Sequence, residues 1–141
     1  MEHNGRPVPV PDAVSAFYWD NAKEGRLTVQ GFEGTDILQH PPGPVPEVPG
    51  ADPAAKPVAV EVSGRGTLFA FTVSHQPFHP SFVDAMPLVI GLTELDDAPG
   101  VRILTNIVEA QPHELRCGLP VEVVFERRGD FALPQFRPVR A

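Results

Sequence analysis

Residues 62–82, VSGRGTLFAFTVSHQPFHPSF, decide how this chain is read. The glycines flanking Arg65 let a strand bend sharply, because a residue without Cβ reaches backbone conformations closed to others. After that corner the pattern alternates. It puts Phe69, Phe71 and Val73 on one face and Leu68, Ala70 and Thr72 on the other. The run ends in a loop carrying His75, Phe78 and His79. This is the pattern of a strongly coiled barrel strand with an exposed loop at its end.

Working outward, strand-like runs surround it: 58–63, 67–75, 88–95, 101–108 and 121–126. Val58, Val60 and Val62 alternate with Ala59, Glu61 and Ser63, and Val121, Val123 and Phe125 alternate with Glu122, Val124 and Glu126. Asp97-Ala98-Pro99-Gly100 supplies turn chemistry between the third and fourth runs, and residues 110–118 fit a short or helical turn. Five antiparallel strands and a glycine bend predict an all-β protein. A closed five-stranded OB-fold barrel leads, with an open meander as the alternative. The tail FALPQFRPVRA would lie across the barrel with Phe131 and Phe136.

Upstream, residues 1–11 read as a flexible arm and PDAVSAFYWDNAKEG as a short helix. Asp12 is its expected cap, Val14, Phe17, Tyr18 and Ala22 its shared face, and Gly25 its stop. Residues 26–30 are a short strand candidate, and regular structure is expected to fail from Gly31 to Lys56. Of the 18 prolines, seven lie between Pro41 and Pro57, where missing donors and fixed φ bar helix and central strand. The organisation predicted is an arm and helix over 1–25, a Pro-rich segment over 26–56 and the barrel with its tail over 57–141.

Composition excludes several functions. With 11 basic and 18 acidic residues the net charge is −7, which disfavours nucleic acid and anionic membranes. A single-stranded nucleic-acid module, the other use of this barrel, also wants a basic groove that the chain lacks. The single cysteine, Cys117, rules out an internal disulfide and any cysteine-based zinc site within one chain; its expected role is a buried or half-buried small hydrophobe. No basic-then-apolar leader opens the sequence, and no apolar run approaches the roughly 18 residues of a membrane span, so a soluble cytoplasmic protein is expected.

Six strings then stand in order: FYWDNAKEGRL, HPPGPVP, SGRGTLFAFTV, LTNIV, GLPVEVVFE and LPQFRP. Together, from Phe17 to Pro138, they resemble the acyl-CoA-associated family known as domain of unknown function thirty-five, which joins a rubredoxin-like zinc ribbon to an OB-fold. The resemblance places the family's two C-x-x-C pairs at Phe32 and Thr35 and at Pro46 and Pro49. None of these can supply a thiolate, and His40 alone cannot hold a structural zinc. The ribbon is therefore expected to be a degenerate, metal-free remnant, held by proline stiffness and by packing of Phe32, Ile37 and Leu38, or by a partner. The resemblance further implies a non-catalytic accessory subunit in lipid or steroid side-chain metabolism. Its partner would be a thiolase-like or lipid-transfer-protein-like aldolase subunit, or a MaoC-like enoyl-CoA hydratase subunit, with the acyl-CoA thioester met indirectly.

The candidate residues follow. Phe17, Tyr18 and Trp19, with Phe32, His40, Phe78 and His79, are the expected partner contacts, since aromatic side chains dominate interface energetics. Arg65, His75 and Arg137 are the expected contacts to coenzyme A, with Arg127, Arg128 and Arg140 as the other anion readers. His75 and His79 could serve as acid–base groups in a stand-alone acyl-CoA binder or weak hydratase, yet no partnered carboxylate beyond nearby Asp84 is evident. Asp96-Asp97 reads as a solvated turn. No catalytic set, cofactor or metal is expected.

Overall fold

A computed structural model describes residues 2–3 and 5–140. Along the chain run strands β1 (Glu2–His3) and β2 (Arg6–Pro7), helix α1 (Ala16–Lys23), and strands β3 (Thr28–Phe32), β4 (Leu38–Gln39) and β5 (Pro57–Glu61). Then follow β6 (Arg65–Ser74), β7 (Leu88–Leu95), β8 (Ala98–Asn106), β9 (Pro120–Arg128) and β10 (Phe131–Pro138). Single 3-10 turns at Pro80–Ala85 and Pro112–Glu114 interrupt the loops. The fold is the OB-fold barrel expected from the sequence.

The barrel strands take the order β10-β9-β6-β7-β8, all antiparallel. The sheet curls until its edges meet. Ile107 and Phe136 bridge in parallel, the Val108 N–H donates to the Phe136 carbonyl at 2.8 Å, and the Asn106 N–H donates to Gln135 Oε1 at 2.8 Å. Leu68, Val121 and Phe136 at 0 % exposure and Ile103 at 1 % fill the interior. Burial on this scale drives folding at roughly 25 cal/mol per Å² of apolar surface.

Two of the expected strand assignments change. The Val58–Ser63 alternation is real, but β5 pairs with β3, and β3 with β4, in a separate three-stranded sheet. The fifth barrel strand is instead β10, the tail expected to lie across the barrel. It pairs with β9 over eight residues through a tight Gly129-Asp130 turn. The small sheet is not a separate core: Leu27, Val29 and Val62 join one hydrophobic cluster with Tyr18 and the barrel interior.

The glycine corner is built as expected. Gly64 has φ +83°, and a Cβ there would strike the Val123 side chain. Past the corner a bulge between Leu68 and Ala70 shifts the alternation. Leu68 is therefore buried and Phe71 half-buried, while Phe69 turns outward at 47 % exposure under the Arg102 guanidinium, 3.7 Å from the ring centroid. The turn between β7 and β8 is Asp96-Asp97, with Ala98, Pro99 and Gly100 already in strand.

The helix is shorter than the pattern suggested, because Asp12 caps the turn ahead of it. Its Oδ1 accepts from the Val14 and Ser15 N–H groups at 3.1 and 2.8 Å, and Ser15 stands at the N-cap. Gly25, φ +77°, ends it as expected. The arm, of which Met1 and Asn4 lie outside the described residues, forms a hairpin of β1 and β2. Arg128, 7 % exposed, donates to the Pro7 carbonyl at 2.9 Å and pairs with Glu126 at 2.6 Å, and Arg6 donates to the Ser81 carbonyl at 3.2 Å.

Candidate functional site

Helix α1, the loop after β4 and the barrel enclose a cleft of about 460 Å³. From the helix come Ser15, Tyr18 and Trp19, from the loop His40, Pro41 and Pro42, and from β7, β8 and β10 Ile90, Leu104, Asn106, Leu133 and Gln135, with their neighbours. The helix delivers consecutive aromatics because its inner face meets β3 and β10, burying Tyr18 and Ala22. The rings interlock. Tyr18 stacks on Trp19 at 5.0 Å and meets His40 edge-on at 5.4 Å, and Trp19 meets Phe131 edge-on at 6.4 Å. Among the described residues no Asp, Glu, Lys or Arg lines the cleft. Burial pushes the His40 imidazole down to about 4, so it is neutral near pH 7, and pushes the Tyr18 phenol upward.

Beside the cleft the ribbon is tied by two glutamines. Gln30, 1 % exposed on β3, donates through Nε2 to the Gly43 carbonyl at 2.7 Å and accepts the Gly43 N–H at 2.9 Å. Gln39 donates to Gln30 Oε1 at 2.8 Å and to the Val45 carbonyl at 3.1 Å, and accepts the Glu47 N–H at 3.0 Å. The Pro-rich loop is thereby stitched to the small sheet. At the four positions where the family resemblance puts cysteines stand Phe32, 2 % exposed, Thr35, whose hydroxyl donates to the Phe32 carbonyl at 2.8 Å, Pro46 and Pro49. This donor set does not fit zinc. Among the described residues no group of three or more His, Cys, Asp or Glu could hold a metal ion.

The structure gathers some of the expected residues and scatters others. Tyr18, Trp19 and His40 meet in the cleft, and Phe17 lines a second cleft of about 420 Å³ with Gln30 and Val58. Tyr18 and Phe32 are packed inside this chain, at 7 and 2 % exposure, so neither is a free surface anchor; helix docking buries one and the fully buried β3 the other. Phe78 is 90 % exposed, and His79 caps the following 3-10 turn, its Nδ1 accepting the Ser81 N–H at 3.2 Å.

The expected anion readers divide: Arg65 and Arg137 flank Glu122, while His75 lies at the far end of β6. Arg65 begins β6 and His75 follows its end, roughly 30 Å apart along extended backbone. Arg65 and Arg137 both oppose Glu122 across the sheet, and Arg137 pairs with Glu109 at 3.1 Å and Glu122 at 3.4 Å. Arg140 holds Glu114 at 3.0 Å, and Arg127 donates to the Lys23 carbonyl at 3.1 Å. Asp97 accepts the Ser63 N–H and hydroxyl at 2.7 and 3.0 Å, pinning the glycine corner. Cys117 is exposed, not the small buried hydrophobe expected, because it stands in the turn before β9.

Sequence reading missed Gln30, Gln39, Leu104 and Asn106. The glutamines' only signal was two long amides facing a proline run. Leu104 could have been found as an apolar residue on the outward face of an alternating strand.

Barrel, ribbon and cleft define an OB-fold scaffold whose Pro-rich ribbon is tied to its sheet by amide hydrogen bonds. Residues 59–126 match the model of the C-terminal OB-fold domain of ChsH2. The solved chain described as "Ltp2-ChsH2(DUF35) aldolase" superposes with a TM-score of 0.80 at 33 % identity, covering 93 % of this chain and 98 % of that one. The chain belongs to this DUF35 family of ChsH2 OB-fold proteins. It is 36 % identical over 135 residues to a probable enoyl-CoA hydratase alpha subunit of Thermomonospora curvata, covering 94 % of this chain and 40 % of that one. It is 34 % identical over 147 residues to the 3-oxo-4,17-pregnadiene-20-carboxyl-CoA hydratase alpha subunit of Mycobacterium tuberculosis, covering 95 and 45 %. The chain thus spans less than half the length of these two relatives.

Proposed function

We propose that the chain is a non-catalytic accessory subunit of an acyl-CoA-metabolising complex. It stabilises a thiolase-like, lipid-transfer-protein-like aldolase partner and helps to wall that partner's thioester channel. The observation that carries this is the near end-to-end likeness to a chain solved as part of an aldolase with ChsH2 in its name. The separation of His75 from Arg65 and Arg137 supports placing the chemistry in the partner, because acid–base work needs groups within hydrogen-bond reach of one substrate atom.

Phe78, 90 % exposed, is the proposed anchor, with His79 beside it. Phe17 and Trp19, each half-buried, and His40 add contact where the helix and ribbon meet the surface. Arg65 and His75 are the groups free to touch coenzyme A at the channel rim, with Arg137 following only if Glu109 and Glu122 release it. The parts act as arm and helix over 1–25, a ribbon over 26–56 whose sheet β5 completes, and the barrel with its tail, its strands beginning at Arg65. A second reading, a subunit of a MaoC-like hydratase, is favoured by the two hydratase alpha-subunit relatives.

Co-expression with each neighbouring thiolase-like or hydratase-like gene product, followed by gel filtration, separates these readings. Co-elution with the thiolase-like product is expected. Elution apart from both would end the accessory role.

A further inference from the structure

We infer that the cleft between α1, the loop after β4 and the barrel is a binding site, in this chain itself, for an uncharged, ring-sized apolar molecule bearing a carbonyl oxygen. This goes beyond the accessory role, because it assigns the chain a ligand of its own.

The walls set the class of ligand. Trp19, Pro42, Ile90 and Leu104 present apolar surface, and among the described residues no ionised side chain lines the cleft. Phosphates require converging cations, so the nucleotide end of coenzyme A does not belong here. The volume, about 460 Å³, suits a small-molecule site.

The second observation is the Tyr18 hydroxyl. Tyr18 is 7 % exposed, lines the cleft and makes ring contacts, yet its hydroxyl has no hydrogen-bond partner among the described residues. Among those residues the sealed, unpartnered side-chain oxygens are those of Thr28 and Thr93. The Tyr18 hydroxyl is therefore not sealed inside the chain, and the cleft is the surface this residue lines, beside Thr105, Asn106 and Gln135. An accessible donor with no protein partner is left to water, and a carbonyl oxygen entering the cleft can take that water's place. His40 beside it, likewise without a hydrogen bond among the described residues and held neutral by burial, adds a polar edge without a charge. A free ketone and the acyl portion of a thioester share this chemistry.

The chain reports on the site itself, because its single tryptophan, Trp19, lines the cleft. Trp19 emission is followed while the purified chain is titrated with progesterone, an uncharged steroid ketone, and separately with the N-acetylcysteamine thioester of cyclohexanecarboxylic acid. Decanoate, apolar but charged, is the comparator. The expected result is a saturable shift with at least one neutral probe. Progesterone alone identifies the free ketone as the source, the thioester alone the acyl portion, and both the shared chemistry.

Tyr18→Phe should weaken binding roughly 3- to 10-fold, one hydrogen bond's share. Leu104→Lys, at a position 67 % exposed where the fold has little at stake, should weaken it at least about 10-fold. No saturable shift with either neutral probe overturns the inference, as does equal binding of decanoate or a shift untouched by both substitutions. If Trp19 emission moves only when the partner subunit is added, the cleft is a protein docking surface and the inference falls while the accessory role stands. Probe binding without any complex has the opposite meaning.

Discussion

Replacing Gln30 by Ala removes the centre of the amide clamp that ties the Pro-rich loop to β3. The side chain makes three hydrogen bonds: to the Gly43 carbonyl at 2.7 Å, from the Gly43 N–H at 2.9 Å and from Gln39 Nε2 at 2.8 Å. Gln30 is 1 % exposed and Gly43 is buried, so water does not simply replace what is lost. At about 1 kcal/mol net per bond, with a further contribution from the stranded Gly43 groups, the loss is about 3–4 kcal/mol. For a chain of this size that lowers the Tm by about 10 °C. Gln39→Ala, which acts on more exposed groups, should cost only about 1 kcal/mol. Calorimetry on the two variants and on wild type treated with a chelator measures all of this. A Tm shift for Gln30→Ala below about 2 °C, or a large fall on chelation of wild type, would refute the claim that amides hold the ribbon.

Three further outcomes follow from named contacts. Gly64→Ala forces a side chain into φ +83° against Val123 and should cost about 2–4 kcal/mol, read from the denaturant midpoint. His40 is depressed from 6.5 to about 4 by burial, so the unfolded chain binds the extra proton. Stability should therefore fall as the pH drops from about 6.5 towards 4, at up to about 1.4 kcal/mol per pH unit, and His40→Asn should flatten that slope in pH-dependent urea titrations. Phe78→Asp should leave stability within about 0.5 kcal/mol, since the ring is 90 % exposed, while weakening the proposed complex at least about 10-fold by calorimetric titration.

The barrel was legible where alternation was clean: β7 buries every second residue from Val89 to Leu95, and β9 extends the run seen at Val121–Phe125. Alternation cannot name a strand's neighbours, which is why β5 was given to the barrel although it pairs with β3. The last strand hid behind Pro134 and Pro138, residues an edge strand tolerates because one row of its backbone groups needs no partner. The Gly129-Asp130 hairpin turn before it was the overlooked signal. At Phe69 a single bulge reversed inside and outside. For the cleft, the aromatics of α1 and His40 were visible as residues of interest. Their meeting with Leu104 and Asn106 was not, because it depends on how helix, loop and barrel pack together.

Acyl-CoA turnover by three preparations tests the accessory role most directly: the chain alone, the thiolase-like partner alone, and the two co-expressed. The account predicts a stable, active complex, a partner that is poorly stable and weakly active on its own, and no turnover by the isolated chain. Turnover by the isolated chain, or a partner equally stable and active without it, would contradict the account.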